Sequence, residues 1–226
     1  MYCAAFAGSP CGLCGIGIEY DFEHDGVEML PISEACERNK EPILAVLRDC
    51  YAGRVQVLEI GSGTGQHAVH FARHLPHLTW HPTEQLSYLA DLAARVQLEG
   101  SPNLRPPTVL DVRQSVWPLR SVDAVFTANT LHIMAWPSVV AMFHGIGAVL
   151  APGGVLCVYG PFRYGERYTS DSNRDFDHSL QERDPASGLR DIQAVSDTAK
   201  LYGLRLVADH DLPAFNRLLV FAKEPA

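Results

Sequence analysis

Residues 55–66 read Val-Gln-Val-Leu-Glu-Ile-Gly-Ser-Gly-Thr-Gly-Gln. An apolar, β-branched run from Val55 to Ile60 enters glycines at 61, 63 and 65, and a helical pattern begins at Gln66. A strand that enters a glycine turn and leaves as a helix forms a nucleotide-type binding edge. Glycine admits positive φ and lets a ligand approach with no Cβ in the way. The N–H groups of the first helical turn then face that ligand. A dinucleotide fingerprint has the spacing G-x-G-x-x-G. Here the spacing is G-x-G-x-G, and Gln66 stands where the third glycine of that fingerprint would be. Glu59, just before the turn, would repel a pyrophosphate but can accept hydrogen bonds from an amino group. Glu59, Gly61, Ser62, Gly63, Gly65 and Gln66 form the first candidate binding group.

The string EIGSGTG, Glu59–Gly65, resembles the first motif of class I S-adenosylmethionine (SAM) methyltransferases. In that family the loop cradles the methionine part of SAM and the acid lies by its amino end. Glu84, about 20 positions past the turn, can accept from both ribose hydroxyls; a helix N-terminal acid is its other role, and the two are compatible. Asp111 can accept from the adenine amino group while Val112 packs on the ring face; a plain turn Asp is the alternative. Asn129 follows directly on a strand and should border the sulfonium, bonding the backbone or the methionine part. His132 is a candidate general base, because its unperturbed pKa lies near physiological pH; a packing or cofactor-shaping role is the alternative. Methyl transfer needs alignment of nucleophile, methyl carbon and sulfur, and a proton acceptor when the nucleophile is neutral.

The elements that position these residues follow from the hydrophobic pattern. Strands are read at 55–60, 78–81, 108–110, 122–127 and 154–160, with helices at 66–74, 85–98 and 137–150. A last helix at 192–202 precedes strands at 205–210 and 217–222. This alternation predicts a doubly wound, Rossmann-like α/β sheet of seven strands, mostly parallel, with an antiparallel C-terminal edge hairpin. A further helix starts at Ser33, with Ile43, Leu44, Val46 and Leu47 as its stripe; Pro42 should bend or divide it. Residues 1–30 are rich in Gly and Cys without helical period and read as an irregular extension, leaving 31–226 as the domain. Residues 163–190 show no clear apolar period. They follow the fifth strand at the ligand-binding end of the sheet and read as a lid over a substrate.

The chain has 226 residues, 47% hydrophobic and 19% charged, with net charge −8 from 18 basic and 26 acidic residues. That fits one globular domain and argues against a nucleic-acid partner, which usually meets a basic face. No stretch is long and apolar enough for a membrane span, and no secretory leader is evident. Scattered cysteines suggest a reducing, cytoplasmic setting. A monomer or homodimer is expected. Cys11 and Cys14 form one CxxC without a second pair, and His70 and His74 lie at i, i+4 without a carboxylate partner at HExxH spacing, so no metal is expected.

Longer strings extend the resemblance: ACERNKEPIL (35–44), VLEIGSGTGQHAVHFA (57–72), LPHLTWHPTE (75–84), LDVRQSVWP (110–118), ANTLHIM (128–134), LAPGGVLCVYGPF (150–162) and SNRDFDHSLQERDPASGLRD (172–191). Together they are similar to the methyltransferase-like 26 group, also called domain of unknown function 938. The resemblance implies a SAM-dependent fold and a methyl acceptor it does not specify; the acidic balance and the compact lid favour a small molecule methylated at oxygen, nitrogen or sulfur. The resemblance also implies that Arg38, Asn39 and Pro42 help cover the cofactor. It places Tyr159, Gly160, Pro161 and Phe162, then Asn173, Phe176, Asp177, Arg183, Asp184 and Arg190, around the acceptor pocket, with Tyr164 in the lid. His132 and Tyr159 are the catalytic candidates. Two features depart from the family: Phe215 stands where a second Asn is usual, and residues 1–18 do not look like it. A catalytically silent SAM-binding protein would carry the same pocket, whereas the glycine spacing and Glu59 speak against a nicotinamide oxidoreductase.

Overall fold

The computed structural model describes residues 18–19 and 30–225. Most of the proposed N-terminal extension, with Cys3, Cys11 and Cys14, lies outside the described residues. Seven strands form the central sheet: β1 (Gln56–Ile60), β2 (Thr79–Glu84), β3 (Thr108–Val109), β4 (Val122–Ala128), β5 (Leu150–Gly160), β6 (Leu204–Leu212) and β7 (Asn216–Lys223). Their spatial order is β6-β7-β5-β4-β1-β2-β3. β7 runs antiparallel to both β5 and β6, and the other pairings are parallel. The predicted C-terminal hairpin therefore makes one edge, with β7 inserted between β5 and β6. β1 is buried from Val57 to Ile60, as a central strand covered on both faces must be.

The described residues include six α-helices: α1 (Glu34–Cys50), α2 (Gln66–His74), α3 (Leu89–Glu99), α4 (Trp136–Val149), α5 (Asp171–Arg183) and α6 (Ile192–Leu201). On one face Leu58 and Ile60 of β1 pack with Phe143 and Ile146 of α4 and Val195 of α6. On the other, Val57 packs with Ile43 and Leu47 of α1, Phe71 of α2 and Trp80 of β2. The alternation along β1 puts Glu59 on this second face.

Two expectations are corrected. Pro42 does not divide α1, which runs unbroken through it. A helix-interior proline costs about 3 kcal/mol, but α1 buries Asn39, Ile43, Leu44 and Leu47 on both sides of it, and that packing holds the helix together. The stretch 163–190 is not without regular structure. Strands Phe162–Tyr164, Arg167–Tyr168 and Arg190–Asp191 form a small sheet around α5. The Ser170 hydroxyl caps α5 by accepting from Asn173 N. Buried Asp177 accepts from the Tyr168 hydroxyl at 2.6 Å and from Leu189 N at 2.7 Å, which staples the segment together.

Candidate functional site

The glycine turn sits at the C-terminal end of β1. Gly61, Gly63 and Gly65 have φ of +70°, +54° and +82°, a region that other residues enter at a cost. A Cβ on Gly61 would lie 2.6 Å from Thr130 Cγ2, while one on Gly63 would meet nothing within 4 Å. Gly61 is thus a packing necessity against the segment after β4, and Gly63 faces open space. Ser62 is turned inward: its N–H donates to Thr83 O at 3.0 Å and its hydroxyl accepts from Thr83 N at 3.2 Å. Glu84 Oε2 accepts from Gly63 N at 2.8 Å and Oε1 from Gln85 N at 2.7 Å. The structure therefore brings Glu84 to the glycine turn, although the two are 21 residues apart. Burial pushes the Glu84 carboxyl up.

Glu59 is 2% exposed. Its Oε2 accepts from Trp80 Nε1 at 2.8 Å. Burial raises its pKa to about 7, against hydrogen bonds from Trp80 and Ser62 that favour the charged form. A carboxylate held in this state is destabilised until a positive charge arrives beside it.

Gln66 fastens α1 over the turn. Its Oε1 accepts from Ser33 N at 2.6 Å, and its Nε2 donates to Glu37 Oε1 at 2.7 Å. His67, the next residue, meets Asn39 Oδ1 at 2.6 Å. These bonds carry the N-terminal half of α1 to the rim of a cavity of about 560 Å³. Arg38 and Asn39 line it from α1, Asn129 and His132 from the segment after β4, Tyr159 from β5, and Asn173 and Phe176 from α5. Asn129, at the end of β4, has φ +57° and donates its N–H to Tyr159 O at 2.9 Å. His132 is 5% exposed, and its ring lies edge-on to Phe176 at 5.4 Å. Burial first, then the charges of Arg190 and Arg183, lowers its pKa to about 4. At neutral pH its imidazole is therefore uncharged.

A family model described as "Protein of unknown function (DUF938)" matches residues 30–223. The chain belongs to the DUF938 family. Its fold is that of class I methyltransferases. It superposes with TM-score 0.72 on SibL, described as an S-adenosylmethionine-dependent methyltransferase, in its apo form, at 18% identity over 85% of this chain and 56% of the other. An O-methyltransferase family protein from Burkholderia thailandensis gives TM-score 0.74 at 15% identity, covering 85% and 58%. Human N-acetylserotonin methyltransferase in complex with SAM gives 0.72 at 15% identity, covering 85% and 53%. The DUF938 chain thus spans little more than half the length of these neighbours.

Pro161 also lines the cavity, and several other sequence candidates stand apart from it. In this DUF938 chain Asp111 is bound by Arg113 at the surface, and that contact lowers its carboxyl to about 2. Val112 packs against the core on the α4 side, and Phe162, 1% exposed, lies within it. The Tyr164 hydroxyl donates to Asp209 at 2.5 Å, and the residue lines a separate outer cavity of about 330 Å³. Arg183 Nε donates to Ser179 O. Arg190 Nε donates to Leu131 O at 3.0 Å and Nη2 to Met134 O and Ala186 O, so it buttresses the segment that carries His132. Asn216 is a site residue that the sequence reading does not single out. It lines the cavity and donates Nδ2 to the Tyr159 hydroxyl at 2.9 Å. The β6–β7 turn brings it there, and its signal lay in LPAFN, residues 212–216. Among the described residues no group of three or more His, Cys, Asp or Glu side chains is placed to hold a metal ion. Nor is any helix among them long and apolar enough to cross a membrane.

Proposed function

We propose that this protein is a SAM-dependent methyltransferase that acts on a small-molecule acceptor. The observation that carries the reading is the junction between turn and cavity: Gly61 packs against Thr130, and Asn129 beside it lines the cavity. A ligand on the glycine turn would meet a second ligand in the cavity at that junction. The donor set fits such a cofactor. Gly63 opens toward space a ligand would fill, Glu84 stands at the turn for ribose hydroxyls, and Glu59 beneath it favours a nearby ammonium. Asn39 and Arg38 of α1 cover the same region, and Asp111 and Val112 serve the adenine end.

Bound SAM supplies a methyl group on a good leaving group. The protein's part is alignment and proton removal. Asn173 and Phe176 hold the acceptor against Asn129. His132, uncharged at neutral pH, takes the proton of an acceptor hydroxyl, amine or thiol as the nucleophile attacks. A cavity of about 560 Å³ is within the size range of small-molecule sites. Burial first, and then the charges of Arg190 and Arg183, keep His132 unprotonated.

Calorimetry with SAM and with its demethylated product tests the cofactor assignment; absence of heat with both refutes it. Incubation of the protein with methyl-labelled SAM and a small-molecule extract tests the transfer, with a labelled low-mass product expected.

A further inference from the structure

Asn173 sits in the first turn of α5, is 7% exposed and lines the larger cavity. The bonds around it fix which way its amide faces. Its backbone N–H donates to the Ser170 hydroxyl at 3.1 Å, within the helix cap. Its Nδ2 lies 2.7 Å from Thr169 Oγ1 and 3.2 Å from Phe215 O. Either prong of an asparagine amide can meet a hydroxyl. Phe215 O is a carbonyl and only accepts, so the nitrogen prong must face it. The Thr169 hydroxyl gives its one hydrogen to the same carbonyl at 3.1 Å, which leaves it an acceptor toward Asn173. Two partners therefore require the nitrogen on this side, and the oxygen takes the other. The left-handed Phe215, at φ +59°, belongs to this arrangement, because its carbonyl serves Thr169 and Asn173 at once. Among the described residues Oδ1 of Asn173 has no hydrogen-bond partner. It is not one of their fully buried unpartnered atoms either, which are His70 Nε2, His81 Nε2 and Trp117 Nε1. It therefore keeps an open surface, and the space that Asn173 borders is the cavity. Phe176, three residues on and so on the same side of α5, packs edge-on against His132 at 5.4 Å. Glu34 and Arg38, which carry charge in the lining, pair with each other at 3.0 Å. The cavity thus offers a fixed, uncharged acceptor on the wall that also packs on His132.

We propose that Asn173 is a specificity-determining residue: its Oδ1 takes a hydrogen bond from the bound molecule, which must carry a second O–H or N–H hydrogen besides the one removed at the methylated atom. This rests on the methyltransferase reading only for the methylated atom; the donor requirement concerns binding alone. Neutral diols, aminoalcohols and catechol-type compounds meet it. A simple thiol has one such hydrogen and leaves Oδ1 unpaired, and an ionised carboxylate offers only lone pairs there. A half-enclosed polar atom left without its partner discriminates against such ligands.

The test titrates the full chain, with no SAM present, against catechol and against methylenedioxybenzene, and follows ¹³Cγ- and ¹⁵N-labelled asparagine by NMR. The two probes share a ring and two oxygens, and only catechol has O–H groups. Catechol should bind at least about fivefold more tightly, the size of one net hydrogen bond, and should move the Asn173 Cγ signal. In the free protein the Asn173 Nδ2 hydrogens should show a nuclear Overhauser contact to the Thr169 methyl group, which identifies the signal without any variant. Asn173→Leu keeps the bulk and removes the amide, so the two affinities should converge. An asparagine that merely held the helix start in place would lower both affinities alike and leave their ratio unchanged. Equal affinities in the parent, a preference that survives in folded Asn173→Leu, or a cavity that takes neither probe overturns the proposal. If Asn173→Leu does not fold, the parent still decides: an amide without the Thr169 contact, or catechol bound without moving Asn173 Cγ, overturns it. SAM calorimetry on the same samples is separate: the catechol preference intact with no heat from SAM defeats only the methyltransferase reading.

Discussion

Glu59→Gln should make the protein more stable at pH 8 and leave it nearly unchanged near pH 4.5. The Glu59 carboxyl has its pKa raised from 4.5 to about 7 by burial. Between those values the folded chain holds this proton and the unfolded chain has lost it. Stability from this group is therefore complete below about pH 4.5 and is lost as pH rises through 7. A shift of about 2.5 units at 1.36 kcal/mol per unit is worth about 3 kcal/mol. Glutamine removes the titration while its Oε1 still accepts from Trp80 Nε1. The difference in unfolding free energy between variant and parent should thus grow from near zero to about 3 kcal/mol across that window. Urea unfolding of both proteins at pH 5, 6, 7 and 8 measures it, and the titrations of His67 and His132 cancel in the comparison. Parallel stability curves, offset by the same amount at every pH, would refute the reasoning: Glu59 would then not be titrating from a buried site. A cationic ligand bound beside the carboxyl should reverse the order, favouring the parent at pH 8.

Gly61→Ala forces a side chain into φ +70° and places its Cβ 2.6 Å from Thr130 Cγ2. The left-handed backbone alone costs about 1–2 kcal/mol, so thermal unfolding should show at least that loss, and calorimetry should show no SAM binding. Gln66→Leu leaves the buried Ser33 N–H without its acceptor and takes one donor from the Glu37 carboxylate, which keeps Lys40. A loss of about 1–3 kcal/mol is expected, with faster amide exchange confined to the first turns of α1. His132→Asn should lower methyl transfer by about 10²–10⁴-fold while SAM affinity stays near that of the parent. In the parent, with SAM saturating so that the Glu59 titration drops out, kcat/KM for the acceptor should fall on the acid side near pH 4, where His132 takes up a proton; a limb near 6.5 under those conditions would remove His132 as the base.

The sheet was legible because its central strands are apolar runs cut by glycine and charge, and because β1 announces the turn that follows it. α5 was not. Its thirteen residues bury only Asn173, Asp177 and Leu180, too sparse a stripe to register as a period. Its ends were legible in principle: Ser170 as cap, Asp171 in the first turn and Arg183 in the last are the expected start and stop chemistry. At the site, strand-end positions such as Glu84, Asn129 and His132 could be found from the turn outward. What each side chain bonds could not. Gln66 reaches back 33 residues to Ser33, Arg190 reaches 59 to Leu131, and Tyr164 reaches 45 forward to Asp209. Such pairings follow from how the layers stack, and nothing local to the residues encodes them.

Backbone strain gathers beside the cavity. Among the described residues, Asn129, Ala214 and Phe215 are the non-glycine residues with positive φ, at +57°, +60° and +59°. Asn129 and Ala214 line the larger cavity, and Phe215 lines the outer one. Each such residue costs on the order of 1–3 kcal/mol and persists only where its surroundings fix it. The fixings are visible: Asn129 N–H donates to Tyr159 O, and Phe215 O accepts from Thr169 Oγ1 at 3.1 Å and Asn173 Nδ2 at 3.2 Å. Tyr159 and Asn173 line the larger cavity, so bonds that relieve the strain also set the positions of its walls. Glycine at 214 or 215 would relax the turn, and at 215 it would give up only a half-buried ring, since Phe215 is 55% exposed. A strained alanine and phenylalanine there, where Asn216 must reach the Tyr159 hydroxyl, are better explained by a stiff turn that holds Asn216 in place than by any contribution to stability.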